Sequence, residues 1–256
     1  MTPRIVDVRR YVTPLREGGS LPAIVEADDL GLYVLKFRGS GQGPKALIAE
    51  WIAGEIARAL GLDVPEIVFA TLDPELARTE ADPEIQALIR ASAGLNLALD
   101  YLPGSVTFDP VAWKPTADLA SRIVWLDAYV TNVDRTAKNV NLLLWHGALR
   151  LIDHGAALYF HHDWAGAATR SQDAFERIRD HVLLPQASRI AEVDAELAAK
   201  LTPTVLRGIV DAIPAGWLEA DGGIARRDDY FDYLQRRLTV PRRFVEEALR
   251  ARTRLL

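Results

Sequence analysis

There is no cysteine in the 256 residues, which excludes disulfides, thiolate metal sites and a cysteine nucleophile. No apolar run reaches the ~20 residues that a membrane helix needs, so no membrane partner is expected. The N-terminus is also unlike a secretory signal, because Arg4 is followed by the mixed run Val6, Asp7, Val8, Arg9 and Arg10 where an apolar core should stand. Together these absences predict a cytoplasmic protein. Nor is there an excess of positive charge: 30 Lys and Arg against 35 Asp and Glu leave a formal charge of −5, which disfavours non-specific nucleic-acid binding. Repeats and low-complexity tracts are missing too, so no disordered tract is expected. What is abundant is core material. Hydrophobic residues make up 49% of the chain, enough for one large domain or two lobes.

Before Pro103 and Gly104 the pattern predicts strands over residues 5–12, 23–27, 32–37, 67–72 and 95–101, with a helix over 44–60 and helical material over 74–91 that restarts at Asp82-Pro83. Pro44 suits a first helical turn and Gly61 a helix stop. The loop 13–22 holds Gly18, Gly19 and Ser20, whose backbone amides could approach a phosphate, with a plain hairpin loop as the alternative. By period-2 alternation Lys36 shares a face with Leu32 and Val34, so it either reaches solvent or meets a buried anion. Two acids on the helix 44–60 compete as its partner: Glu50 at the edge of the apolar stripe, and Glu55 nearer its middle.

After Gly104 the pattern is helical, with one exception inside residues 125–155. A helix over 116–131, capped by Thr116, breaks into the polar segment 132–139. Two apolar arms follow, 140–145 and 148–152, and His146-Gly147 between them signals a hairpin. Its expected register sets Asn139 opposite Asp153, roughly 5 Å apart, with Asp134 on the loop that feeds it. Two carboxylates and an amide then offer hard oxygen ligands suited to Mg²⁺ carrying phosphate. Asp127 shares a face with Ile123 and Thr131, and is either a buried acid holding this loop or a surface acid. His154, His161, His162 and Asp163 invite comparison with a zinc site, but their spacing matches no closed tetrahedral pattern. Helices near 173–182, 188–200, 203–213, 228–238 and 241–254 read as scaffold. Their arginines, from Arg226 to Arg254, are interleaved with acids, which favours a solvated, paired face.

The order of these parts carries information that none has singly. A lysine on the third strand, an acid on the next helix, a Pro-Gly junction, Asp-x₄-Asn on a loop and Asp-x-Gly after a hairpin follow the protein-kinase sequence of parts. In Tyr33-Val34-Leu35-Lys36, Ala49-Glu50, Gly61-Leu62-Asp63-Val64-Pro65, the run from Asn132 through Asp134 to Asn139, and Leu151-Ile152-Asp153, the chain resembles the HipA-like kinases. They are a bacterial branch of the protein-kinase-like fold. The resemblance implies an α+β, two-lobed fold: a small antiparallel β lobe with a helix over residues 1–103, binding nucleotide, and a mostly helical lobe over 104–256. It also implies roles. Lys36 would hold the α and β phosphates of ATP and Glu50 would orient Lys36. Asp134 would take the proton of the acceptor hydroxyl, and Asn139 with Asp153 would hold Mg²⁺. The backbone of Leu99, Asp100, Tyr101 and Leu102 would hydrogen-bond adenine. The acceptor is a hydroxyl of a protein or small molecule, with His161, His162, Asp163 and Arg170 as candidate contacts. His154 stands where Asp-Phe-Gly has Phe. A nucleotide-binding module without turnover, and AMP transfer, are the alternatives.

Overall fold

A computed structural model describes residues 3–15, 21–164, 166–219 and 226–255; Gly18, Gly19 and Ser20 lie outside the described residues. The first five strands are β1 (Ile5–Pro14), β2 (Ala23–Ala27), β3 (Leu32–Lys36), β4 (Ile67–Leu72) and β5 (Gly94–Asp100). Helix α1 (Gly43–Ala59) lies between β3 and β4, and α2 (Pro83–Ala91) between β4 and β5. The strands differ from the expected antiparallel lobe. They close into a barrel, ordered β1-β2-β3-β5-β4, because Ile5, Val6 and Asp7 pair in parallel with Phe69, Ala70 and Thr71. The cause is the length of β1. It runs past the end of its partner β2, and the overhang meets β4, which leaves neither strand an open edge.

Alternation along β3 turns Tyr33 and Leu35 into the barrel and leaves Val34 and Lys36 on its outer face. On β5, Ala98 points inward while Leu97 and Leu99 join the outer core. Helix α1 is buried nearly all round, from Leu47 to Ala57, as a helix covered on both sides must be. The barrel covers one side and C-terminal helices the other.

Beyond the barrel come α3 (Ala117–Tyr129) and a three-stranded antiparallel sheet of β6 (Val106–Thr107), β7 (Leu142–Trp145) and β8 (Ala148–Leu151). Then follow α4 (Ala167–Arg170), α5 (Ile190–Lys200), α6 (Pro203–Asp211), α7 (Ala215–Glu219), α8 (Arg227–Arg237) and α9 (Arg243–Thr253). The helix expected over 173–182 is a 3₁₀ turn at Glu176–Asp180, and α7 has no counterpart in the sequence-based assignment. Not every C-terminal arginine is solvated. Arg237 is buried and donates to the carbonyls of Ala128 and Tyr129 at 2.8 and 2.7 Å, satisfying the end of α3.

The Pro103-Gly104 junction does not divide the core. One apolar cluster runs from α1, β4 and β5 into α3, α5 and α6, then on to α9. Trp51 Nε1 donates to the Ile209 carbonyl at 2.8 Å, and Trp217 Nε1 to the Leu95 carbonyl at 3.0 Å. Phe69 packs between those two rings, with centroids 5.0 and 5.2 Å away. Among the described residues, no helix is long and apolar enough to cross a membrane.

Candidate active site

Lys36 ends β3 on the face turned away from the barrel. Its Nζ donates to Glu50 Oε2 and to Asp153 Oδ1, both at 2.5 Å. Of the two acids on α1, Glu50 is therefore the one that reaches the lysine; Glu55 pairs with Arg58 at 3.4 Å. The choice follows from how α1 is rotated between barrel and helices. Glu50 is completely buried, and burial alone would raise its pKa. The Lys36 charge outweighs that, with help from His154, and holds the carboxyl well below the usual range. Burial would likewise lower the Lys36 pKa, but the two carboxylates raise it above its ordinary value. Buried lysine is rare without such partners.

The hairpin closes through His146 and Gly147, at φ 49° and 77°, the positive pair that a type I′ turn needs. Trp145 pairs with Ala148 and Leu142 with Leu151. This corrects the expected register by one residue. Asn139 lies six residues before Trp145, whereas Asp153 lies five after Ala148, so continuing the ladder faces Asp153 with Val140. Regular pairing stops earlier still, at Asn141, whose carbonyl accepts from the Ile152 amide at 3.2 Å. Asn141 and Asp153 both adopt left-handed backbone, φ 49° and 55°, a region that Asn and Asp tolerate better than other non-glycine residues.

That irregular backbone lets the polar side chains gather. Asn139 Nδ2 donates to Asp134 Oδ2 at 2.6 Å, and Asn141 Nδ2 lies 3.4 Å from the same oxygen and 3.5 Å from the Asp153 carbonyl. Beneath them the loop is anchored by buried charge. Arg135 donates from Nε to Asp127 Oδ2 at 2.6 Å and from Nη1 to the carbonyl of Asn141. Asn132 Nδ2 donates to Asp127 Oδ1 at 2.9 Å. His181 accepts the Leu183 amide at Nδ1, 3.0 Å, so Nε2 carries the proton and donates to Asp127 Oδ2 at 2.9 Å. Burial would raise the Asp127 pKa, but Arg135 and the His181 hydrogen bond hold it well below the usual carboxylate range. Asp127 is thus the buried acid of its two readings.

The remaining expected residues are less convergent. In the segment Leu99–Leu102, the Asp100 and Tyr101 amides are used by the carbonyls of Glu66 and Leu32, both at 2.9 Å. The Leu102 amide has no hydrogen-bond partner among the described residues. His161 corrects the acceptor-contact expectation: it is buried, with Nδ1 3.1 Å from the Tyr230 hydroxyl. Burial, with His162 and Lys45 nearby, pushes its pKa down to about 3, so the ring stays neutral. Asp163 and Arg170 pair with each other at 3.1 Å. Sequence reasoning missed Arg135, Asn141 and His181. Only Asn141 left a signal, as a polar residue inside an apolar arm.

The oxygen donors fit Mg²⁺ rather than a softer metal. Asp153 gives Oδ1 to Lys36, yet its side chain is 48% exposed, so its second oxygen is left over. The Asp134 carboxylate accepts hydrogen bonds only, so the Asn139 amide nitrogen must face it and the amide oxygen faces elsewhere. Among the described residues no group of three or more His, Cys, Asp or Glu side chains could hold a metal. A site of one carboxylate and one amide suits an ion that keeps waters and substrate phosphate in its shell.

The family model of the HipA-like kinases matches residues 5–244. The chain belongs to the HipA-like kinase family. Solved structures with the same fold are protein-kinase-like. This HipA-like chain is similar to the Helicobacter pylori proinflammatory kinase CtkA, with a TM-score of 0.56 at 13% identity, over 98% of this chain and 99% of that one. It is also similar to the Golgi casein kinase solved with Mn and ADP bound, with a TM-score of 0.52 at 13% identity, over 98% of this chain and 74% of that one. No curated protein matches the chain in sequence.

Proposed function

We propose that this HipA-like kinase transfers the γ-phosphoryl group of ATP to a hydroxyl of a protein or small-molecule acceptor. The observation that carries the reading is Lys36, which joins Glu50 on α1 to Asp153 after β8 through two 2.5 Å contacts. Phosphoryl transfer asks little covalent chemistry of a protein; it asks for positioned reactants and for charge placed against the transferred group. On binding, Lys36 exchanges Asp153 for the α and β phosphates while Glu50 keeps it oriented. Asp134, whose carboxylate is steadied by Asn139 at 2.6 Å, takes the proton of the acceptor hydroxyl. Asn139 and Asp153 are the residues that would hold Mg²⁺, which when bound would neutralise charge on the β and γ phosphates. Adenine is assigned to the backbone at Leu102. Gly18, Gly19 and Ser20 belong to the phosphate side of the same proposal, as does the division into a nucleotide lobe, 1–103, and a helical lobe, 104–256. The neighbour carrying Mn and ADP supports the use of nucleotide with a divalent metal.

The test pairs wild type with Asp134→Ala, using a panel of hydroxyl acceptors and ATP labelled at the α or γ phosphate. Wild type is expected to transfer label from γ. The variant should lose roughly 10²–10⁴-fold in rate, the usual range for a general base, with nucleotide affinity within a few fold. A variant at the wild-type rate removes Asp134 as the base. Label from α points to AMP transfer, and nucleotide binding without any transfer points to a binding module.

A further inference from the structure

His154 is completely buried, and its Nδ1 lies 3.3 Å from Glu50 Oε1. An ionised carboxylate can only accept, so Nδ1 carries the proton and donates. Glu50 is then held at both oxygens, by His154 at one and by Lys36 at the other. Lys36 in turn holds Asp153, the residue that precedes His154. The four groups form a closed ring: Lys36 to Glu50, Glu50 to His154, His154 through one peptide bond to Asp153, and Asp153 back to Lys36.

The backbone at Asp153 makes the ring possible. Its left-handed φ of 55° sends successive side chains apart, Asp153 toward the opening and His154 under α1. The chain stays close beneath that helix. A Cβ added at Gly155 would lie 3.6 Å from the Ala46 carbonyl oxygen and 3.7 Å from Glu50 Oε2.

For stability, a histidine at this place cuts both ways. Its Nε2 is buried with no hydrogen-bond partner among the described residues, which is unfavourable for a polar atom. A phenylalanine, the residue found there in Asp-Phe-Gly, would fill similar space and remove that cost, but would leave Glu50 Oε1 without its donor.

We propose that His154 is a positioning residue: by donating to Glu50 it fixes the carboxylate that orients Lys36, and through its peptide bond to Asp153 it ties the metal-binding segment to α1. A phenylalanine, which has no donor, could act on that carboxylate only by apolar packing. Here a directional hydrogen bond sets its orientation, so the lysine, the helix acid and the metal aspartate are assembled as one unit. The catalytic part of this inference rests on the phosphoryl-transfer reading above.

The experiment compares wild type with His154→Phe and His154→Asn, reading ATP turnover, melting temperature and crystal structures. Asn places an amide donor near the position of Nδ1. For His154→Phe the expected result is kcat lowered roughly 10- to 100-fold, the range seen when a residue orienting a ligand is lost, with a melting temperature within a few degrees of wild type, because losing the donor to Glu50 offsets removing the unpaired Nε2. His154→Asn should regain much of the turnover while melting lower, because it fills less space. Activity following the donor while stability follows apolar volume is a split that a purely structural role cannot produce. Wild-type kcat and KM for ATP in His154→Phe would overturn the proposal, as would equal losses in both variants. Should His154→Phe not fold, His154→Leu is read by the same criteria. Should wild type show no turnover at all, the phosphoryl-transfer reading fails, and the crystal structures still decide this one: Lys36 and Glu50 still 2.5 Å apart, unmoved in the variant without a donor, overturns it.

Discussion

A buried carboxylate without a counter-charge would take up a proton, and Asp127 is kept ionised because Arg135 and His181 meet the same oxygen. Replacing it with asparagine preserves shape but leaves the Arg135 charge uncompensated inside the protein. Removing one member of a buried ion pair costs ~3–5 kcal/mol, which at ~2–4 °C per kcal/mol for chains of this size lowers the melting temperature by roughly 10 °C. The pH dependence has a definite sign. The folded pKa of Asp127 lies below its ordinary value, so the unfolded chain binds the proton first as pH falls. The stabilisation is complete above the unfolded pKa of about 3.9 and fades below it. Melting curves of wild type and Asp127→Asn should therefore differ most above about pH 5 and draw progressively closer as pH falls below the unfolded pKa. An equal gap at pH 3 and pH 7 would argue against an ionised Asp127.

At the scale of elements, α1 is aimed by the loop that precedes it. Gly39 presses against the end of α2: a Cβ there would lie 2.9 Å from the Ala91 carbonyl carbon and oxygen, backbone atoms that cannot swing aside. Its amide also donates to Ser92 Oγ at 3.0 Å. Gly41, two residues on, has nothing within 4 Å of such a Cβ. Gly39→Ala is expected to cost about 1–3 kcal/mol, as overpacking does, and to reduce turnover by shifting Glu50 with the helix. Gly41→Ala should stay within about 0.5 kcal/mol of wild type. Melting and turnover of the two variants side by side check the contrast; equal behaviour would mean that the loop does not aim the helix.

Over the whole molecule, the shared core predicts how the chain unfolds. Leu97 and Leu99 on the outer face of the barrel, the apolar residues of α1 from Leu47 to Ala57 and the C-terminal helices bury one continuous apolar cluster, so neither part can leave without exposing the other. Trp51 and Trp217 sit at that junction, while Trp125 lies on α3 with Nε1 donating to Asp194 at 2.8 Å. Urea unfolding followed by tryptophan fluorescence and by far-UV circular dichroism is expected to give one coincident transition. Two separated midpoints would show that barrel and helices unfold independently.

The sequence by itself determined most elements and the candidate residues. Alternation placed β2, β3 and β5, helical spacing placed α1 and α3, and His146-Gly147 marked the hairpin, because each signal is written within a few neighbouring residues. The order of Lys36, Glu50, Asp134, Asn139 and Asp153 was legible for the same reason. Only the tertiary structure decided what depends on distant segments meeting. The parallel pairing of Ile5–Asp7 with Phe69–Thr71 joins strands more than 60 residues apart, and no local pattern encodes it. Glu50 rather than Glu55 meets Lys36 because the two layers around α1 set its rotation. His181 reaches Asp127 across 54 positions, and His161 turns into the core against Tyr230. Burial and pairing of polar groups are properties of the packed whole, and a polar letter in a sequence reads the same whether it faces water or a buried charge.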